Sequence, residues 1–234
     1  TANALLTFSG GTISGAGSTF AAGGLALSAG GTAPVTLAGA VILNLAEQLL
    51  IAILERALWG ERRLHLGSSV SVLDLHTLIY PYGRPEMAIT NLMTAQLARF
   101  YRASFSGHCG LADAKLPSVE AGAQKALTAI PTLLLGGGAH IDAGLLSIDQ
   151  VFSPIQMILD NEFIGALRCF VRDYAVTDEA IGFETLRERG PGRIFLDSEH
   201  TARYFRAEHW QPQLWSRQMF EPWARAGRPL DVDY

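Results

Sequence analysis

Two rhythms of apolar and polar positions run through this chain: short apolar runs of strand length, and longer stretches with helical spacing between them. Leu25–Ala29 reads as a strand, followed by the turn Gly30-Gly31-Thr32 and a helix opening at Pro34, where proline suits the first turn. Leu64–Leu73 predicts the next strand, leading into a loop through His76, Tyr80 and Tyr82. Pro85-Glu86 then opens a helix that runs to about Arg102. Phe105–Gly110 predicts a third strand, Leu111–Ser118 a loop, and Val119–Leu135 a helix. Ala139–Leu145 predicts a fourth strand, with helices over Ser147–Tyr174 and Asp178–Arg189 after it. The Gly190-Pro191-Gly192 turn leads to a short strand, Ile194–Leu196, and then to a helix capped by Ser198.

Strands alternating with helices of these lengths imply βαβ units and a parallel sheet, so the fold class is α/β. Polar residues collect just after the strands rather than before them, which in a β/α barrel is the face that carries chemistry. The expected architecture is a partial or complete TIM-type (β/α) barrel built of repeated βα units. An open, doubly wound sheet gives the same alternation, and the units counted here fall short of the eight that close a barrel.

Composition narrows the partners. The 234 residues are 49 % hydrophobic and 17 % charged, enough for a sizeable core and too apolar for a disordered tail. A net charge of -4 with no Lys/Arg run excludes the basic footprint that nucleic acid requires. Cys109 and Cys169 are too few for a disulfide framework, which makes a reducing cytoplasm the expected location. Residues 1–33 lack a basic start and an unbroken apolar run, so no signal peptide is expected. Pro34–Trp59 is apolar but includes Asn44, Glu47, Gln48, Glu55 and Arg56, and reads as a buried helix rather than a membrane span.

No phosphate-binding loop, H-E-x-x-H, C-x-x-C or G-x-S-x-G is present, and the six histidines lack metal-ligand spacing. The remaining candidates sit after predicted strands: Asp74, His76, Tyr80, Tyr82 and Glu86; then His108, Cys109, Asp113 and Lys115; then His140, Asp142, Asp160 and Glu162. His108 fits a satisfied histidine in a tight strand exit as readily as a functional one. Asp113 also fits an ordinary acid at a helix start, and Lys115 a solvated lysine. Asp160 and Glu162 fall within a helix and read as a solvated or ion-paired face. Tyr80 and Tyr82, a Tyr-x-Tyr in a polar loop, are better placed to line a pocket than to fill a core.

Several stretches, in order, resemble the trimethylamine methyltransferase family: Gly30-Gly31-Thr32-Ala33-Pro34-Val35-Thr36-Leu37-Ala38-Gly39-Ala40, Tyr82-Gly83-Arg84-Pro85-Glu86 and Gly110-Leu111-Ala112-Asp113-Ala114-Lys115. Glu120-Ala121-Gly122-Ala123-Gln124-Lys125-Ala126, Gly190-Pro191-Gly192 and Glu199-His200-Thr201-Ala202-Arg203-Tyr204-Phe205-Arg206 continue the match, as do Trp210-x-Pro212 and Ser216-Arg217. The resemblance implies a TIM barrel of roughly double this length, with residues 1–234 as one domain forming its C-terminal half. It implies methyl transfer from a methylated amine to the Co(I) of a cognate corrinoid protein, the corrinoid being carried by that partner and not by this chain. Members acting on trimethylamine carry pyrrolysine near the loop preceding Asp113 and Lys115; ordinary residues fill Cys109 to Ala112 here.

Without pyrrolysine, a quaternary ammonium is the expected methyl donor, because it leaves as a neutral amine and needs only orientation and exclusion of water. Its pocket calls for aromatic faces and carboxylates. From loop position, Glu86, His108 and Asp113 are assigned the catalytic roles, and Tyr80, Tyr82, Phe105 and Lys115 the substrate contacts, with no metal site. A betaine carboxylate would take Lys115 or His108 as donor. The alternative is a non-catalytic partial barrel acting as a ligand-binding or assembly subunit. Open sheet edges favour association, as a homo-oligomer or with an N-terminal half.

Overall fold

The structure, a computed structural model, describes residues 36–60 and 63–227, so the strand expected at Leu25–Ala29 lies outside the described residues. Two compact units divide the chain, Thr1–Met157 and Ile158–Tyr234.

The first unit is a helix-covered parallel sheet. Helix α1 (Leu37–Trp59) opens on Thr36, whose hydroxyl accepts the Gly39 N–H at 3.2 Å. It is followed by β1 (His65–Ser68), α2 (Pro85–Tyr101), β2 (Ser104–Cys109), α3 (Val119–Leu133) and β3 (Gly138–Ile141). Proline starts α2, and Ser118 caps α3 by accepting the Ala121 N–H at 3.2 Å. The strands lie in chain order β1-β2-β3, all parallel, joined by α2 and α3. Three strands in sequence make an α/β layer with no closed barrel among the described residues.

Period-two alternation divides the sheet into two faces. Leu66 of β1 and Phe105 of β2 point toward the helices, joining Leu45 of α1 and Ala98 of α2 in the main apolar cluster. Burying Leu66 fully contributes about 1.5–3 kcal/mol. Polar pegs fasten the helices to the sheet and its loops: Asn91 donates to the His108 carbonyl at 2.8 Å and to Thr132 Oγ1 at 2.8 Å, and the Thr90 hydroxyl donates to the Val70 carbonyl.

The edge of β1 that no described strand pairs is met by a side chain. Gln48 accepts the Gly67 N–H at 2.6 Å and donates to the Gly67 carbonyl at 2.7 Å, while Asn44 adds a 3.1 Å bond to that carbonyl. The amide thus occupies both backbone positions a neighbouring strand would use, which protects an exposed edge. Helix α1 is the one described helix long and apolar enough to cross a membrane by length and composition. Its Asn44 and Gln48 turn toward β1, and Ile42, Ile53 and Leu58 remain exposed.

The region after β3 departs from the helix expected at Ser147–Tyr174. A small antiparallel hairpin forms instead, from β4 (Leu145–Leu146) and β5 (Val151–Phe152), and α4 begins only at Pro154, running to Arg168. Ser147, Ile148 and Asp149 all have positive φ, which stops a helix there. The strand expected over Leu64–Leu73 is confined to His65–Ser68, and Ile194–Leu196 forms no strand.

In the second unit, the rest of α4 is followed by α5 (Asp178–Ile181), α6 (Phe183–Arg189), α7 (Glu199–Glu208) and α8 (Phe220–Arg225). The helix expected over Asp178–Arg189 is split at Gly182, whose φ of 71° ends one helix and opens the next. Polar clasps hold this unit. Glu162 Oε1 accepts the N–H groups of Gln213, Leu214 and Trp215 at 2.8, 3.0 and 3.4 Å. Asp160 and Glu162, expected on a solvated or ion-paired face, are both buried. A carboxylate that gathers three backbone donors is stable inside because its charge is hydrogen-bonded.

Candidate functional site

Three loops leave the C-terminal ends of the parallel strands, and side chains bind each to the next. The loop after β1 is fixed through Tyr80, whose hydroxyl accepts the Ser71 N–H at 2.5 Å and donates to the Ser69 carbonyl at 3.1 Å. The Tyr80 ring meets Tyr82 edge to face, with centroids 5.8 Å apart. Asp113, from the loop after β2, accepts the N–H groups of Tyr82 at 2.7 Å and Gly83 at 3.1 Å. Gln124 of α3 accepts from the backbones of Asp113 and Ala114, at 2.8 and 3.0 Å. A Cβ at position 83 would lie 2.6 Å from its carboxamide carbon, so a side chain there would push Gln124 away from these bonds.

The loop after β3 folds onto the second. Ser147 and Ile148 donate their N–H groups to the carbonyls of Ala114 (2.9 Å) and Ala112 (3.2 Å). Left-handed backbone at three successive non-glycine residues costs on the order of 1–3 kcal/mol each, and these bonds offset part of it. The strained turn carries Asp149 into the field of Tyr82, Asp142, His108 and Lys125.

The electrostatics are those of a site rich in carboxylates. Burial, then the charges of Asp149 and Asp142 and the neighbouring Tyr80 and Asp113, push the Tyr82 phenol up to about 12. Burial, and then Asp142, raises the Asp149 carboxyl above the ordinary carboxylate value, while His108 and Lys125 pull the other way. His108 Nε2 lies 3.7 Å from Asp142 Oδ2, and its ring is 5.9 Å from that of His140. Lys125, fully buried, donates to the Gly110 carbonyl at 3.0 Å at the end of β2. Negative charge beside an aromatic pair suits a cation without exchangeable protons.

Of the residues singled out from the sequence, Tyr80, Tyr82, Asp113 and His108 lie in this loop cluster. Glu86 starts α2 and pairs with Arg84 at 2.7 Å, leaving Oε2 buried without a hydrogen bond among the described residues. Lys115 is exposed and donates to the Asp113 carbonyl at 2.6 Å. Phe105 is not brought to the loops: it lies near the start of β2, in the helix-side cluster with Leu45 and Leu66. The alternation itself shows this, since Phe105, Gly107 and Cys109 share one face and Ser104, Ser106 and His108 the other. Asp149, Gln124 and Lys125 were not among the candidates; Gln124 and Lys125 sit on a helix, and their loop partners are set only by the folded chain. Burial and the Asp142 charge raise the Cys109 thiol to about 12, which keeps it protonated.

Parallel strands in chain order, with an aromatic and acidic cluster on the loops that leave their C-terminal ends, define an α/β protein. The sequence profile of the trimethylamine methyltransferase family matches residues 19–231. The chain belongs to that family. It is 30 % identical to the trimethylamine methyltransferase MttB of Desulfitobacterium hafniense, over 84 % of this chain and 39 % of that protein. MttB of Methanosarcina barkeri gives the same identity and coverage. The glycine betaine methyltransferase of D. hafniense is 29 % identical, over 83 % of this chain and 41 % of its own length. The chain spans about two-fifths of the length of these relatives.

Proposed function

We propose that this chain supplies the C-terminal part of a β/α barrel that moves a methyl group from a quaternary ammonium to the Co(I) of a corrinoid protein. The carboxylates of Asp142 and Asp149 beside the Tyr80–Tyr82 pair carry this reading. Relatives named for trimethylamine and for glycine betaine support the amine class.

In the reaction the carbon–nitrogen bond breaks, its electron pair stays on nitrogen, and the cobalt pair forms the new bond to the methyl carbon. A quaternary donor leaves as a neutral amine, so no proton need be supplied at the nitrogen. The protein's part is to hold the ammonium by aromatic and acidic contacts with one methyl facing the mouth, and to keep water out. Tyr82 stays neutral at working pH and offers its ring; Asp142 and Asp149 offer charge. Asp113 acts through position, fixing the loop that carries Tyr82.

Cobalamin reduced to Co(I), mixed with the chain and a panel of methylated amines, tests this optically. Methyl-Co(III) appearing with quaternary amines and not with trimethylamine is the expected result. No methyl-Co(III) with any amine, from folded protein, refutes transfer by this chain alone. The exposed Ile42, Ile53 and Leu58 on α1 favour assembly with a further component, a second copy or an N-terminal half. Native mass spectrometry checks that: a lone monomer contradicts it.

A further inference from the structure

Among the described residues, the buried threonines lie on α2 and α3, and three of them commit their hydroxyls within the fold. Thr90 donates to the carbonyls of Val70 and Met87, Thr128 to those of Gln124 and Lys125, and Thr132 to that of Thr128. Thr94 differs: it is 2 % exposed, yet its Oγ1 makes no hydrogen bond among the described residues. Ser68 Oγ and Asn91 Oδ1 are in the same condition, in residues 5 % and 0 % exposed. Buried polar atoms are nearly always satisfied, because a missing partner forfeits the bond to water that the unfolded chain makes.

The fold brings these three atoms to one level between α2 and the sheet. Helix α2 packs on both β1 and β2. Below, Ala98 and Leu66 share the main apolar cluster; above, Thr90 bonds to the Val70 carbonyl. Thr94 is midway between Ala98 and Thr90, and Ser68 midway between Leu66 and Val70, on the face that Leu66 presents. Gly107 is the register partner of Ser68, and a Cβ there would lie 2.9 Å from Asn91 Nδ2. Asn91 Nδ2 donates to the His108 carbonyl and to Thr132 of α3. The carbonyl accepts only from the N–H arm, so Oδ1 is the arm turned away from α3, toward the β1 side. On the strands this level carries a serine and a glycine, against Leu66 and Phe105 below and Cys109 above, which leaves the least side-chain volume under α2.

We propose that Ser68, Asn91 and Thr94 bind one long-lived water molecule between α2 and the β1–β2 pair. The donor set selects this ligand. Asn91 Oδ1 can only accept, so it repels an anion. Three neutral oxygens with no carboxylate do not compensate the desolvation of a buried cation. Water gives one hydrogen to Asn91 Oδ1 and exchanges bonds with the two hydroxyls, three partners in all, the usual number for a buried water. Its place is next to the amide that holds the His108 carbonyl, so it braces the strand end from which the loop carrying Asp113 departs.

Oxygen-17 relaxation dispersion of the solvent counts long-lived waters without interference from hydroxyl proton exchange, and tests this in the wild type, Thr94→Val, Thr94→Ser and the Ser68→Ala/Thr94→Val pair. The double variant, its fold confirmed by circular dichroism, is expected to lose the amplitude of one water, and Thr94→Ser to keep it. Urea denaturation gives an independent sign. Valine has the shape of threonine, so removing an unsatisfied hydroxyl would raise the midpoint, whereas removing one that binds water is expected to lower it. Unchanged dispersion in the double variant, no long-lived water in the wild type, or a raised midpoint in Thr94→Val overturns the site.

Discussion

The two faces of the β1–β2–β3 sheet come from the same few residues and obey opposite rules. Toward the helices, Leu66 and Phe105 pack with Leu45 and Ala98, and Gly107 lies against Asn91 and Thr132. On the other side His65, Ser104, Ser106, His108 and His140 form one polar surface. Aliphatic packing is concentrated on the first face and polar groups on the second, so one strand can vary one property without the other. The loops above join the faces through Asp113 and Gln124.

Substitutions on each face should separate the two properties. Leu66→Ala has the largest expected effect, about 2–5 kcal/mol of stability by chemical denaturation, because a fully buried side chain leaves a cavity. Asp113→Ala should cost about 2 kcal/mol and loosen the loop carrying Tyr82, seen as faster exchange of the Tyr82 and Gly83 amides. Gln48→Ala should cost about 1 kcal/mol and speed exchange at Gly67; unchanged exchange there would remove the edge-closing role. Ser106→Ala should move stability least.

Protons sharpen the contrast. His65 is held below its ordinary value, first by burial and then by His140, with Ser104 and Ser106 on its ring nitrogens. The folded chain therefore binds fewer protons there than the unfolded chain. Its contribution to stability should be lost as pH falls through about 6.5 toward the folded value, and His65→Gln should flatten that limb. At the other extreme Tyr82 is neutral to about 12, while burial also raises Tyr80, so tyrosine absorbance should show late ionisation that is reduced in Tyr82→Phe.

Legibility in the sequence followed the strength of local signals. Pro85, Ser118 and the apolar run ending at Gly110 marked α2, α3 and β2 closely, because each is a stop or start with its own chemistry. The hairpin at Leu145–Phe152 was hidden, since two-residue strands have no period and Ser147, Ile148 and Asp149 are not residues that announce left-handed backbone. Tyr80, Tyr82, His108 and Asp113 were legible as polar residues after strands. Asp149 was not, because only the turn brings it near Tyr82. Phe105 was misplaced by reading position along the strand without its face. Glu162 resembled a surface acid, and its three backbone donors lie some fifty residues away in sequence.

The account rests on a cation site at Tyr82, and tetramethylammonium, which carries no carboxylate, addresses that site alone. Calorimetric titration of the wild type and of Tyr82→Leu should show binding in the first and about tenfold weaker binding in the second, the scale of a desolvated cation–aromatic contact. Absence of binding, or equal affinity in the two proteins, would contradict a methyl-donor site in these loops.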